Sequence, residues 1–147
     1  MLLQTRPYSI HEDRTQVQSF GALVSILANG DQTGGAFNVF DVICPSGFST
    51  PLHIHYAEDV AVHVLEGALT FFCGDEKQKA QRGSYFFQPR GTPHGFRVDG
   101  EKPARILYMT VPAGFDGFVI EHATEKRFDC TRDPARYKIE LLGALPD

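Results

Sequence analysis

His53 and His55 stand two residues apart within the stretch GFSTPLHIHYAEDVAVHVLEG, residues 47–67. Side chains of an extended chain alternate between faces, so both imidazoles leave the same face of a strand. His94 follows the turn Pro89-Arg90-Gly91-Thr92-Pro93, which delivers it to the start of another strand. Neutral imidazole is the commonest side-chain ligand for a borderline divalent ion, and three converging from two strands make an open site. The positions they leave free can take water, dioxygen or a substrate, so the chemistry within reach is Lewis-acid or metal-redox chemistry.

Short strands must position these residues. Residues 21–28 (GALVSILA) run into Asn29-Gly30-Asp31, and residues 36–44 (AFNVFDVIC) follow, a pattern that predicts an antiparallel pair. Residues 60–65 and 68–73 flank Glu66-Gly67, where glycine can take the positive φ of a two-residue hairpin turn. That register sets Val64 opposite Leu69, Val62 opposite Phe71 and Val60 opposite Cys73, all on one interior face. His63, out of phase with Val62, is then an outer-face residue. Phe96 and Val98 share the parity of His94 and face inward, while Arg97 faces out. Residues 103–111 (PARILYMTV) form an apolar strand ended by Pro112.

Beyond this strand, Phe115, Phe118, Val119 and His122 fall at i, i+3, i+4 and i+7, which reads either as a short helix packed over a sheet or barrel mouth or, with Gly114 and Gly117 interrupting, as a loop with aromatic anchors. Asp133-Pro134 is suited to start a last helix that closes at Leu142, before Gly143. Residues 1–16 are polar, mixed in charge and broken by Pro7, and read as an arm in which His11 is solvated.

In these residues the chain resembles the cupin superfamily. Gly47, His53, His55 and Gly67 match its first motif, and Gly83, Pro89, Gly91 and His94 match its second. Val60 stands where the first motif places a glutamate ligand, and Val98 where the second places an asparagine. Glu58 and Asp59 lie close by, but Asp59 has the wrong strand parity and Glu58 sits about 7 Å along the strand from the motif position, so only a bulge would bring either to the metal. The resemblance implies an all-β fold, an antiparallel β-barrel or jelly roll over 17–112, with the arm before it and a helical segment at 113–147 packed on it. The pieces PAGFDGF and ARYKIELLGALP also resemble the ends of single-domain cupins similar to quercetin dioxygenases.

What the resemblance implies for chemistry is one divalent ion held by His53, His55 and His94, with Fe(II) favoured and Zn, Ni, Mn or Co accepted by the same ligands. Val60, Val62, Phe71, Cys73 and Phe96 are expected to line the substrate space beside it. Without the glutamate the ion keeps a charge of about +2, a stronger Lewis acid that favours an anionic enolate or oxo acid. In quercetin-cleaving relatives the glutamate is thought to take the substrate proton, a route closed to Val60. Two classes of function follow: a metal-dependent dioxygenase acting on a small enolic, phenolic or oxo-acid molecule, and a non-catalytic module that binds a small molecule or metal. A non-oxidative isomerase or lyase is a further alternative.

Composition narrows the partners. The 147 residues carry a net charge of −4 and no basic run, which argues against nucleic acid or an anionic membrane as a partner. No apolar stretch approaches the ~20 residues of a membrane span, and no secretory leader pattern opens the sequence, so a cytoplasmic location is expected. Cys44, Cys73 and Cys130 show no metal or disulfide spacing and are read as reduced thiols, Cys73 as a buried inert one. Ala61, Leu65 and the outward members of Tyr85, Phe86 and Phe87 give the outer face an apolar character, from which a homodimer is expected.

Overall fold

The computed structural model describes residues 5–124 and 134–147. In it two antiparallel sheets face each other. The first contains β1 (Thr15–Ser19), β2 (Ala22–Ala28), β3 (Asn38–Cys44), β5 (Asp59–Glu66), β8 (Tyr85–Gln88) and β10 (Ala104–Val111), in the order β1-β2-β3-β10-β5-β8. The second contains β4 (Leu52–His55), β6 (Ala68–Cys73), β7 (Glu76–Gln81), β9 (His94–Val98) and β11 (Ile139–Gly143), in the order β11-β4-β9-β6-β7. This is the jelly-roll arrangement that the resemblance implied. The β2–β3 pair forms as predicted, with Leu23 opposite Ile43 and Val24 opposite Val42.

The predicted β5–β6 hairpin does not form. β5 pairs with β10 and β8, whereas β6 pairs with β7 and β9, so the chain changes sheets at Glu66-Gly67. The parity was right and the partner wrong. Val60, Val62 and Val64 face Leu69 and Phe71 across the sandwich and share one core cluster with them. A hairpin would have left these two apolar faces side by side in one sheet, still in need of cover; the crossover buries one against the other. Gly67 is required by this crossing as well as by its φ of 94°, because a Cβ there would come within 2.7 Å of the Ala104 backbone.

The apolar helical face predicted beyond β10 is α1 (Phe115–Glu121), which buries Phe118 and Val119, with His122 buried at its C-cap. Seven residues are too few to hold a helix in water unaided. Asn38, fully buried on β3, fastens it: its Oδ1 accepts from the backbone N–H of Gly114 and Asp116, each at 3.1 Å. The Asp116 carboxylate in turn accepts from Gly30 N at 2.8 Å. Val119 packs with Val24, Ile26 and Phe40 beneath the helix.

The last helix expected to run to Leu142 is corrected by the structure. Pro134–Tyr137 makes a single 3-10 turn, and the chain then enters β11, which pairs with β4. Ile139 and Leu141 are two apart and pack with Phe20 and Phe118, a strand periodicity. β11 also pairs one edge of β4, the strand carrying His53 and His55, whose backbone would otherwise be open there. Residues 5–14 have no regular structure, and β1 begins at Thr15, inside the span read as an arm. Cys130, Asp133 and the first four residues lie outside the described residues.

Candidate metal centre

β4 lies between β11 and β9, and its one register pair with β9 sets His53 directly opposite His94. The ring centroids are 4.5 Å apart for His53 and His94, 5.0 Å for His53 and His55, and 5.1 Å for His55 and His94. One ring nitrogen of each lies within 4.8 Å of those of the other two. The structure therefore brings together the three histidines singled out by spacing.

Each Nδ1 is already engaged. His53 Nδ1–H donates to the Pro51 carbonyl at 2.8 Å, and His94 Nδ1–H to the Thr92 carbonyl at 2.9 Å. A carbonyl can only accept, so these bonds fix the tautomer and leave a lone pair on Nε2. His55 Nδ1 bonds to the Glu58 carboxylate at 2.6 Å. His94 Nε2 is buried with no partner among the described residues. Burial first, then neighbouring His94 and His55, holds the His53 pKa well below its ordinary value. Burial, then His55, lowers that of His94 to about 4. These two rings are thus neutral at physiological pH, the form that ligates. Convergent Nε2 lone pairs in a dry space repel one another unless a cation sits between them, and a divalent ion of the kind imidazole binds fits this donor set.

Neither carboxylate near the motif position joins the cluster, yet each supports it. Glu58, 4% exposed, sits behind His55 and orients its ring. The sequence reading weighs it as a direct ligand or as part of a solvated acidic turn between strands, and it is neither; the signal for this other role is its position three residues after a ligand histidine, in the loop leaving β4. Asp59 accepts from Arg90 N at 3.0 Å and Arg90 Nε at 3.2 Å, which pins the turn delivering His94. The Arg90 guanidinium holds the Asp59 carboxyl below its usual range.

Beside the histidines lies a cavity whose wall includes His53, His94, Gln88, Phe96, Tyr108 and Phe115. Of the five residues expected to line the substrate space, Phe96 does so. Val60, Val62 and Phe71 pack in the core cluster. Half-buried Cys73, paired in register with His94, opens with Phe71 and Phe86 on a separate hollow between β7 and β8. Burial, then Glu76, raises its thiol pKa.

The sequence reading missed the aromatic wall contributed by Phe40 and Phe115, and it missed Tyr108 and Gln88. Burial, then the nearby Glu58 charge, raises the Tyr108 pKa, so its phenol stays protonated. The Gln88 amide is buried, and its Nε2 has no partner among the described residues, a condition that costs about 1–3 kcal/mol. Strand parity was the available signal: Tyr85 and Phe87 face out, so Phe86 and Gln88 face in.

A family model described as "Cupin domain" matches residues 40–110. The chain is 29% identical over 103 residues to the quercetin 2,3-dioxygenase of Bacillus subtilis, an alignment covering 69% of this chain and 31% of that enzyme. The chain thus spans about a third of that relative's length. Among solved structures it is similar to KdgF from Halomonas sp., with a TM-score of 0.67 and 21% identity, over 77% of this chain and 99% of that one. It is also similar to the polyketide cyclase RemF from Streptomyces resistomycificus, with a TM-score of 0.62 and 22% identity, over 72% and 80%. At such identities the structural likeness speaks to the fold. No helix among the described residues is long and apolar enough to cross a membrane.

Proposed function

This chain is a cupin protein, and on that premise we propose that it is a three-histidine, metal-dependent dioxygenase acting on a small enolic, phenolic or oxo-acid substrate. The observation that carries the reading is the fixed tautomer of the cluster: Nδ1 engaged on all three rings, Nε2 left free, and His94 Nε2 buried without a partner. A divalent ion, Fe(II) in this reading, would supply Lewis-acid and oxygen chemistry when bound.

The protein's own part is to hold, orient and dry the site. His53, His55 and His94 are the ligands, and Glu58 fixes the His55 ring and sets a negative charge behind it. Phe40, Phe96 and Phe115 exclude water from the cavity. Among the described residues the cavity wall carries no carboxylate to take a proton from substrate. This suits a molecule whose own hydroxyl ionises readily, as an enol or phenol does. The same absence disfavours an isomerase or lyase, which needs a placed base, and it favours a second reading, a non-catalytic module that senses or stores a small molecule.

The test is metal analysis of protein from an iron-supplemented host, coupled to an oxygen-electrode screen of enolic, phenolic and oxo-acid compounds. Stoichiometric metal with substrate-dependent oxygen uptake supports the enzyme. Metal without uptake for any compound supports the module, and protein that takes up no metal overturns both.

A further inference from the structure

Gln88 is a buried polar side chain of the cavity wall that ligation leaves unused. It ends β8, is 2% exposed, and stands directly opposite Val60 on β5, so it projects from the same sheet face as the position where the motif has its acid. It shares the cavity wall with His53 and His94, and its Nε2 makes no hydrogen bond among the described residues.

The wall's threonine and serine hydroxyls are otherwise occupied. Thr50 Oγ1 accepts from Phe96 N at 3.0 Å, and Ser19 Oγ donates to the His122 carbonyl at 3.4 Å. No Asp, Glu, Lys or Arg lines the cavity among the described residues, and its remaining surface is chiefly aromatic and aliphatic. A buried donor without a partner, on a side chain in the wall of an aromatic-lined space beside a metal-type cluster, calls for an acceptor brought by the ligand.

We propose that Gln88 is a substrate-binding residue whose amide N–H donates to an oxygen of a planar phenolate or enolate held at the three histidines. The proposal rests on the metal-centre reading and narrows its substrate class. An oxo acid bearing further carboxylates, or a phosphorylated sugar, would bury charge against a wall that offers no cation. A conjugated phenolate or enolate needs only the ion, one donor, and aromatic rings to lie against. The Tyr108 phenol on the same wall is a second donor for the same oxygenated edge.

The experiment is an anaerobic titration of the Fe(II)-loaded protein with 4-nitrocatechol, followed by its visible absorbance, for wild type, Gln88→Leu and Gln88→Met. A hydrogen bond to a charged acceptor predicts about a 10- to 100-fold rise in Kd for both variants. Metal content per chain should stay unchanged, and the melting temperature of the metal-free protein should hold or rise, because an unpaired buried donor has been removed. 2-Oxoglutarate should bind the wild type more weakly than the catechol does.

Wild-type binding that changes less than threefold in both variants would overturn the role of Gln88 alone. So would loss of metal or a lower melting temperature in both, which would make Gln88 structural. Failure of the metal-loaded wild type to bind 4-nitrocatechol, or tighter binding of 2-oxoglutarate, would overturn the substrate class, and failure to load iron would overturn the reading beneath it.

Discussion

Changing Glu58 tests whether the cluster depends on a carboxylate that does not touch the metal. Glu58 Oε1 lies 2.6 Å from His55 Nδ1, and the two side chains are 5% and 1% exposed, so solvent does little to screen the contact. A hydrogen bond to a charged group is worth about 1.5–3 kcal/mol. Glu58→Ala removes the acceptor, leaves a buried Nδ1–H unpaired and lets the ring turn. The expected loss is about 10- to 100-fold in metal affinity, or about 1.4–2.7 kcal/mol. Glu58→Gln keeps an acceptor at the same place and removes only the charge. It should therefore fall between, at about 3- to 10-fold.

The assay is competition with a chelator near neutral pH, paired with thermal melts of the metal-free proteins. Because glutamine preserves the hydrogen bond, Glu58→Gln should melt near wild type without metal while binding metal more weakly. That separation distinguishes tuning of the ligand from general loosening of the fold. Metal affinity in Glu58→Ala within twofold of wild type would refute the reasoning, since the contact would then contribute nothing to ligation.

His53→Ala and His94→Ala should each lose stoichiometric metal, as read by mass spectrometry; retention in both would sink the ligand assignment. In the metal-free protein the His94 pKa of about 4 lies below the ordinary value of 6.5, so between these values the unfolded chain binds more protons than the folded one. Stability should fall as pH drops from about 6.5 toward 4, by up to about 3 kcal/mol for this group; equal urea midpoints at pH 7 and 4.5 would contradict it. A homodimer is expected through the outer face beside edge strand β8, where Tyr85 is 63% and Phe87 55% exposed, and Phe87→Lys should weaken it. A wild-type monomer in light scattering at micromolar concentration would rule this out. Val60→Glu should lower the melting temperature of the metal-free protein, because it buries a carboxylate in a fully covered core position. It should also tighten metal binding, since position 60 shares a face with the cavity residue Gln88; unchanged or weaker affinity would show that the new side chain does not reach the histidines.

The parts of the structure legible in the sequence are those set by local periodicity. Period two put His53 and His55 on one face, set His63 apart from Val62, and sorted Phe96 and Val98 from Arg97. Period 3.6 marked Phe115, Phe118 and Val119 as one helical face. Partner choice was not local. Glu66-Gly67 has the chemistry of a hairpin turn, but a two-residue turn and a crossover between facing sheets ask the same of glycine; what separates them is the approach of Ala104, more than thirty residues downstream. In the segment after Tyr137 the helix-start signal Asp133-Pro134 competes with an apolar pair two apart, Ile139 and Leu141, and the strand periodicity of that pair wins. The carboxylate of Glu58 was legible as a residue near the site, but whether it faces the ion or the back of an imidazole depends on how the loop from Tyr56 leaves β4.

The pair formed by Val60 and Gln88 shows what the altered motif does to the chemistry. Opposed residues of an antiparallel pair share a face, so Val60 on β5 and Gln88 on β8 project to the same side, where Gln88 reaches the cavity wall and Val60 packs in the core. A glutamate at position 60 would bring a negative charge and a base to that side. Valine brings neither and stays in the core, while Gln88 brings an amide donor. The negative charge is supplied from elsewhere, by Glu58 acting through the His55 ring, where it can bias the ion without occupying a coordination position or accepting a proton from substrate. The open side is thereby left to an anionic ligand. Under the proposed function, catalysis at such a site would draw on the acidity of the substrate itself, and for that reason the substrate proposed is an enol or phenol with a readily lost proton.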